Sequence, residues 1–283
     1  MMILQARAQA PLAAVHHALT DPESLRVWLA EHAEVELPHR FEFWGRFTPE
    51  GDEPHQRLLH SAPDALRFTW FLDGVETTTE ITLTAESADT TLVRLAQSHF
   101  DYELCLEGKS IRGALETYWC LSLANLVDFV EGREITTLVD FTSPDMSAEV
   151  FLDASPAEVF ESLIDSAAVS RWFGYPIEIE PHVGGRYAMG GLAANPDPAK
   201  IIDLTPATRL TVDWGGGMGT ATWELAESGG RTRLTMVQSG FDTGNPPYAA
   251  WCGNLSGLSE LRRFHDLTPW APIWVPEEAG APA

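Results

Sequence analysis

Basic side chains are scarce in this sequence. Its 283 residues hold 18 Lys and Arg against 41 Asp and Glu, a net charge of −23 with His neutral. The deficit is shared, −12 over residues 1–135 and −11 over residues 136–283. No basic stripe interrupts the acidity, which disfavours binding to phosphate backbones and docking on anionic membranes. Long apolar runs are missing as well: none approaches the roughly 18 residues that a membrane span needs. Met1 to Ala10 has no basic start leading into an apolar stretch, so no secretory signal is visible and a cytoplasmic setting is expected. Cysteine is limited to Cys105, Cys120 and Cys252, an odd number without metal-type spacing, which reads as three reduced thiols. The nine His form no ligand spacing, so no metal is expected. Gly108-Lys109-Ser110 imitates the end of a phosphate loop, but Glu103 stands where its first glycine belongs. No cofactor is implied.

Apolar and aromatic residues are plentiful. A hydrophobic share of 45%, with ten Trp and thirteen Phe, is enough for two cores, and the length suits two domains. From Leu115, apolar residues recur at helical spacing at Tyr118, Trp119, Leu123, Leu126, Val127 and Val130, with Gly132 as a stop signal. Trp251, Leu255, Leu258, Leu261 and Phe264 repeat that stripe, again beside a Trp-Cys pair. Upstream, Val15/Val159, Leu19/Leu163, Asp21/Asp165 and Trp28/Trp172 match at one constant offset of 144. Asp21 with Pro22 is a helix start, and its echo follows Leu163. Between these helices and the Trp-Cys stripe, both halves alternate as strands. Leu66, Phe68 and Trp70 face inward as Leu210, Val212 and Trp214 do, and Val93, Leu95, Gln97 and His99 match Leu234, Met236, Gln238 and Gly240. Each half then reads as a strand, two short helices, about six strands and a long helix. The fold class is α+β, with two tandem domains at 1–135 and 148–267. In each, a curved antiparallel sheet wraps a long C-terminal helix. Residues 136–147 read as a linker. Residues 268–283 form a Pro-rich tail whose Trp270 and Trp274 are expected to pack back on the second domain.

The order of elements, the Gln238-Ser239-Gly240-Phe241 stretch with its echo Gln97-Ser98-His99-Phe100, and the Trp-bearing helix that follows resemble the START-like helix-grip superfamily (SRPBCC, Bet v 1-like). Within it they resemble homologues of the activator of the 90-kDa heat-shock protein ATPase. The resemblance covers nearly the whole chain, twice. It implies a cavity between sheet and long helix that holds an apolar ligand. In the first copy Phe41, Phe43 and Trp70 would line it under Trp119. In the second, Tyr187, Met189, Trp214 and Trp223 would line it under Trp251. Apolar walls with a few convergent polar groups suit a small-molecule site. The polar groups are Gln97 and His99 in one copy, Gln238 and Tyr187 in the other. The leading expectation is non-enzymatic binding of a small hydrophobic or amphipathic molecule. One alternative, implied by the resemblance, is a stress-related role with a chaperone or other protein as partner. Another is a hydrolase or cyclase using His99 or Tyr187 as acid–base groups, although no nucleophile–base pair can be argued from residue order.

Overall fold

The computed structural model describes residues 1–99 and 111–276. The first half runs β1 (Met2–Ala8), α1 (Leu12–Thr20), α2 (Pro22–Trp28), β2 (His32–Glu36), β3 (Arg40–Trp44), β4 (Gln56–Ala62), β5 (Ala65–Leu72), β6 (Val75–Ala85), β7 (Thr91–Gln97) and α3 (Leu115–Val130). The second repeats that order: β8 (Met146–Leu152), α4 (Pro156–Ile164), α5 (Ser166–Phe173), β9 (Ile177–Ile179), β10 (Arg186–Met189), β11 (Ala199–Thr205), β12 (Arg209–Asp213), β13 (Thr220–Ser228), β14 (Arg231–Ser239) and α6 (Tyr248–Asp266). Both halves are antiparallel helix-grip folds. Phe100, Glu103, Cys105 and residues 108–110 lie outside the described residues. By compactness, Met1–Ser143, Tyr248–Ser256 and the segment starting at Ile273 form one unit. Pro144–Pro247 and Gly257–Pro272 form the other, so α6 begins in one unit and ends in the other. No described helix is long and apolar enough to cross a membrane.

The duplication extends to individual hydrogen bonds. Asp21 caps α2 by accepting from Ser24 N at 2.7 Å, and Asp165 caps α5 by accepting from Ala168 N at 2.7 Å. Trp28 Nε1 donates to the Ala18 carbonyl at 3.0 Å, tying α2 to the end of α1; Trp172 Nε1 donates to Ser162 O at 2.8 Å in the same way. Thr91 Oγ1 bonds Ala10 O at 2.8 Å, and Thr232 Oγ1 bonds Ala154 O at 2.7 Å, each fixing the last strand to the turn after the first. These indoles and hydroxyls are buried, and each has its partner, as buried donors require.

The sheets curve for a local reason. In β4 the register shifts between Leu58 and His60, and in β11 between Ile201 and Asp203. Each shift is a bulge that bends the strand. It turns Leu59 and Ile202 outward, which explains two exposed apolar side chains in otherwise well-packed strands.

The halves differ in closure. The second sheet is continuous over seven strands, in the order β8-β14-β13-β12-β11-β10-β9. The first stops at five, β1-β7-β6-β5-β4, and β2-β3 stands as a separate hairpin. Here the Gln56 side chain takes the place of a backbone ladder: its Oε1 accepts from Phe43 N at 3.1 Å. A side-chain bridge joins the hairpin to β4 where β10 and β11 pair through Arg186–Lys200 and Tyr187–Ala199.

The connection between the halves is tied down at its start. Asn125 and Thr136 exchange two bonds, Thr136 N to Asn125 Oδ1 at 2.9 Å and Asn125 Nδ2 to Thr136 O at 3.0 Å. The tail divides. Trp270 packs on Phe264 and under Arg171, as expected. Trp274 does not go to the second half: Arg7 N donates to Ile273 O at 2.7 Å and Val275 N to Gln5 O at 2.9 Å, so the tail lines the free edge of β1. An unpaired edge offers backbone donors and acceptors to any extended segment, and here this chain supplies one.

Candidate functional site

In the first half, the space between sheet and α3 is filled by rings. Phe41 lies 5.1 Å from Phe68, and Phe43 lies 5.2 Å from Trp70 and 5.9 Å from Phe68. Trp70 in turn meets Tyr118 at 5.8 Å and Trp119 at 5.9 Å. The contacts are tilted or edge-on, the arrangements that aromatic quadrupoles favour, and each contributes about 0.5–1.5 kcal/mol beyond burial. Phe41, Phe43, Trp70 and Trp119 are all buried.

Gln97 closes this interior. It is fully buried; its Oε1 accepts from Thr79 Oγ1 at 2.7 Å and from Trp119 Nε1 at 3.1 Å, and its Nε2 donates to Ser98 O at 3.2 Å. Both acceptor positions are occupied by protein groups, and the amide fastens the roofing Trp to the last strand. Gln97→Ala should therefore destabilise the chain by about 1–3 kcal/mol for each donor left unpaired. Urea denaturation of the variant measures this, and a loss below about 0.5 kcal/mol would remove the clamp.

The second half is built differently on the same plan. Phe68 is replaced by Val212 at the repeat offset, and Phe41 and Phe43 give way to Tyr187 and Met189. Tyr187 and Trp214 meet edge-on at 5.5 Å. Trp70 is completely buried, whereas its counterpart Trp214 sits just past β12 and is half-buried, as is Met189. Trp214 Nε1 itself is shielded and makes no hydrogen bond. Trp223 and Tyr187 are buried. Burial raises the Tyr187 phenol well above its ordinary range, so it keeps its proton at neutral pH. It can donate a hydrogen bond but is no general base.

Gln238 is buried like Gln97 but bonded otherwise. Opposite it in the ladder stands Ala221, where Thr79 stands opposite Gln97. Ala offers no hydroxyl, and the Gln238 Nε2 donates to Met218 O at 2.9 Å in the turn between β12 and β13. That turn needs its glycine: a Cβ on Gly219 would lie 2.1 Å from Ser239 O.

Two expected site residues are elsewhere. His99 is exposed, in a turn with φ +55° beyond the end of β7. The positive φ breaks the two-residue alternation that would have carried it inward. Trp251 is buried in the part of α6 that belongs to the first unit. Near it, burial raises the Cys252 thiol, which stays protonated and unreactive. Among the described residues no group of three His, Cys, Asp or Glu could hold a metal ion. A depression of about 500 Å3 on the second half is lined by Asp153, Glu158, Glu161 and His265, away from the rings.

Residue order concealed Met218 as the partner of Gln238, because a turn carbonyl leaves no signal in residue type. The difference between the interiors was visible as Phe68 against Val212 and Thr79 against Ala221. Its signal was side-chain volume rather than hydropathy.

The family described as Activator of Hsp90 ATPase homolog 1-like protein matches residues 9–131 and, a second time, residues 153–256. The chain belongs to that family. It is a tandem member, both copies of the helix-grip plan lying within one polypeptide. Among solved structures it is similar to CalU16 from Micromonospora echinospora, with 23% identity over 47% of this chain and 74% of that one and a TM-score of 0.37. It is similar to an Aha1 dimer from Colwellia psychrerythraea, with 15% identity over 44% of this chain and 96% of that one and a TM-score of 0.37. It is also similar to DynU16, a protein of the dynemicin biosynthetic locus, with 17% identity over 92% of this chain and 95% of that one and a TM-score of 0.36. No curated protein matches the chain. Within this family member, the Trp70 and Trp214 positions mark the two interiors.

Proposed function

We propose that this chain binds one small apolar or amphipathic molecule, without transforming it, on the concave face of the second sheet. The first half serves as a packed scaffold. The observation that carries the reading is the contrast between Trp70 and Trp214. At one repeat position the indole is sealed among rings, and at the other it is half-buried, edge-on to Tyr187. Binding would come from burial of apolar ligand surface, at about 25 cal/mol per Å2. The exposed position of His99 and the raised Tyr187 phenol favour binding over acid–base chemistry. A chaperone-partner role rests on the family description alone, and no described side chain favours it.

Calorimetric titration with 2-ethylnaphthalene, an apolar probe of two fused rings, is expected to show one equivalent bound per chain. Two equivalents would make the first half a binding site as well. No heat, together with no change in Trp fluorescence, would remove the binding role.

A further inference from the structure

We infer that the tail segment Ile273–Val275 guards the free edge of β1, and that once it is displaced two copies of this chain pair through their β1 edges.

A border strand presents a row of backbone donors and acceptors, and a central charge, a bulge or a very short strand is the usual deterrent to a second strand. Every other outer border of the two large sheets has such a device. β8, the repeat counterpart of β1, exposes Ser147 and Glu149, the latter only loosely paired with Arg233 at 3.7 Å. β9 is three residues long, with Glu178 exposed at its centre. β4 is broken by the bulge between Leu58 and His60. β1 has none of these. Its register with β7 runs unbroken from Met2 to Ala8. Its one charged side chain, Arg7, lies next to the end of the strand and pairs with Glu86 at 2.5 Å. At the offset of 144, the uncharged Gln5 stands where β8 has Glu149.

On β1 the tail is the deterrent. Arg7 N donates to Ile273 O and Val275 N to Gln5 O, on either side of the bridge between Ala6 and Trp274. Ile273 is buried as its anchor. Pro272 and Pro276 flank the three residues, and neither has an N–H with which to lengthen the ladder. The segment therefore caps the middle of β1 without becoming a strand that could itself recruit another. Because it is tethered, it meets the edge at an effective concentration on the order of millimolar, which keeps a second copy away.

A second copy is the occupant that fits the uncovered edge. An antiparallel pair of β1 strands about a two-fold axis sets Gln5 against its own copy and Ile3 against Arg7, so no like charges meet. The same pairing at β8 would set Glu149 against Glu149, which like-charge repulsion opposes.

Ile273→Asp with Val275→Pro, made in the full chain, removes the anchor and one of the two hydrogen bonds. Light scattering after size exclusion, in about 150 mM salt so that charges beyond about 8 Å are screened, reads the result. The wild type should have the mass of one chain. The double variant should rise with concentration toward about twice that mass, as a closed two-fold pair requires. Adding Gln5→Lys, which sets Lys against Lys beside Arg94, should return it to one chain. A double variant that stays monomeric to its highest soluble concentration overturns the proposal, as does a wild type that dimerises equally well. A dimer that survives Gln5→Lys places the contact off β1 and overturns it too. Far-UV circular dichroism establishes that the fold is kept. Val275→Pro alone, which leaves Ile273 in place, is the second variant if the double one does not fold.

Discussion

Phe68→Ala is expected to destabilise the first half by about 3–5 kcal/mol, the range for truncating a fully buried Phe in an interior that cannot collapse. Phe68 is completely buried on β5 and touches the rings of both Phe41 and Phe43, which arrive from the separate β2-β3 hairpin. That hairpin has no ladder to the main sheet and depends on this ring cluster and on the Gln56 bridge. Removing Phe68 therefore opens a void and loosens the hairpin's attachment together. Urea denaturation followed by near-ultraviolet circular dichroism, which reports fixed aromatic packing, measures the effect. If the halves unfold separately, the loss belongs to the transition of the first half. A cost below about 1 kcal/mol would mean that the first interior has slack, and the scaffold assignment would fail.

Val212→Phe reverses the experiment. It places in the second half the ring that fills the first, at the same repeat position. Val212 is fully buried on the inward face between Leu210 and Trp214, and its ladder partner is Ala221, the smallest side chain that keeps a Cβ. Val212 is itself fully covered, so a ligand meets it only by entering the interior; if it does, the new ring takes about 100 Å2 of the surface the ligand would cover. The loss is about 2.5 kcal/mol, or roughly 70-fold in affinity for 2-ethylnaphthalene. Overpacking costs about 1–3 kcal/mol of stability, which a midpoint shift in urea separates from the binding loss. Undiminished affinity in a folded Val212→Phe protein would place the ligand elsewhere. Together the two variants exchange the proposed characters of the halves: Phe68→Ala opens the interior proposed as scaffold, and Val212→Phe fills the one proposed to take the ligand.

Much of the architecture was legible in the residues because it is written twice. Asp21 and Asp165 as caps, Trp28 and Trp172 as ties, and the two Trp-Cys helices all stand at the places the repeat assigns them. Periodicity and capping are local rules, and local rules can be read from order. What order concealed depends on single backbone angles and on who bonds whom. The φ of +55° at His99 ended an alternation that hydropathy would have continued. Gln56 replaced a ladder by one side-chain acceptor, so a strand pairing expected from the second half is absent in the first. Trp274 went to the edge of β1, a choice made by backbone hydrogen bonding and not by its ring. The inward Gln residues were legible as a shared position. Only the structure separates Gln97, saturated by Thr79 and Trp119, from Gln238, turned to the Met218 carbonyl. Lining residues could be named from alternation, but whether they fill the space depends on volumes summed across strands far apart in sequence.

On the proposed function, a ligand enters the second interior and leaves the first untouched. The indole N–H resonances of 15N-Trp-labelled protein test this most directly, with assignments from Trp→Phe variants and 2-ethylnaphthalene added to saturation. The Trp214 signal should shift while those of Trp70 and Trp119 stay in place. Shifts at Trp70 or Trp119 with Trp214 unmoved would contradict the claim.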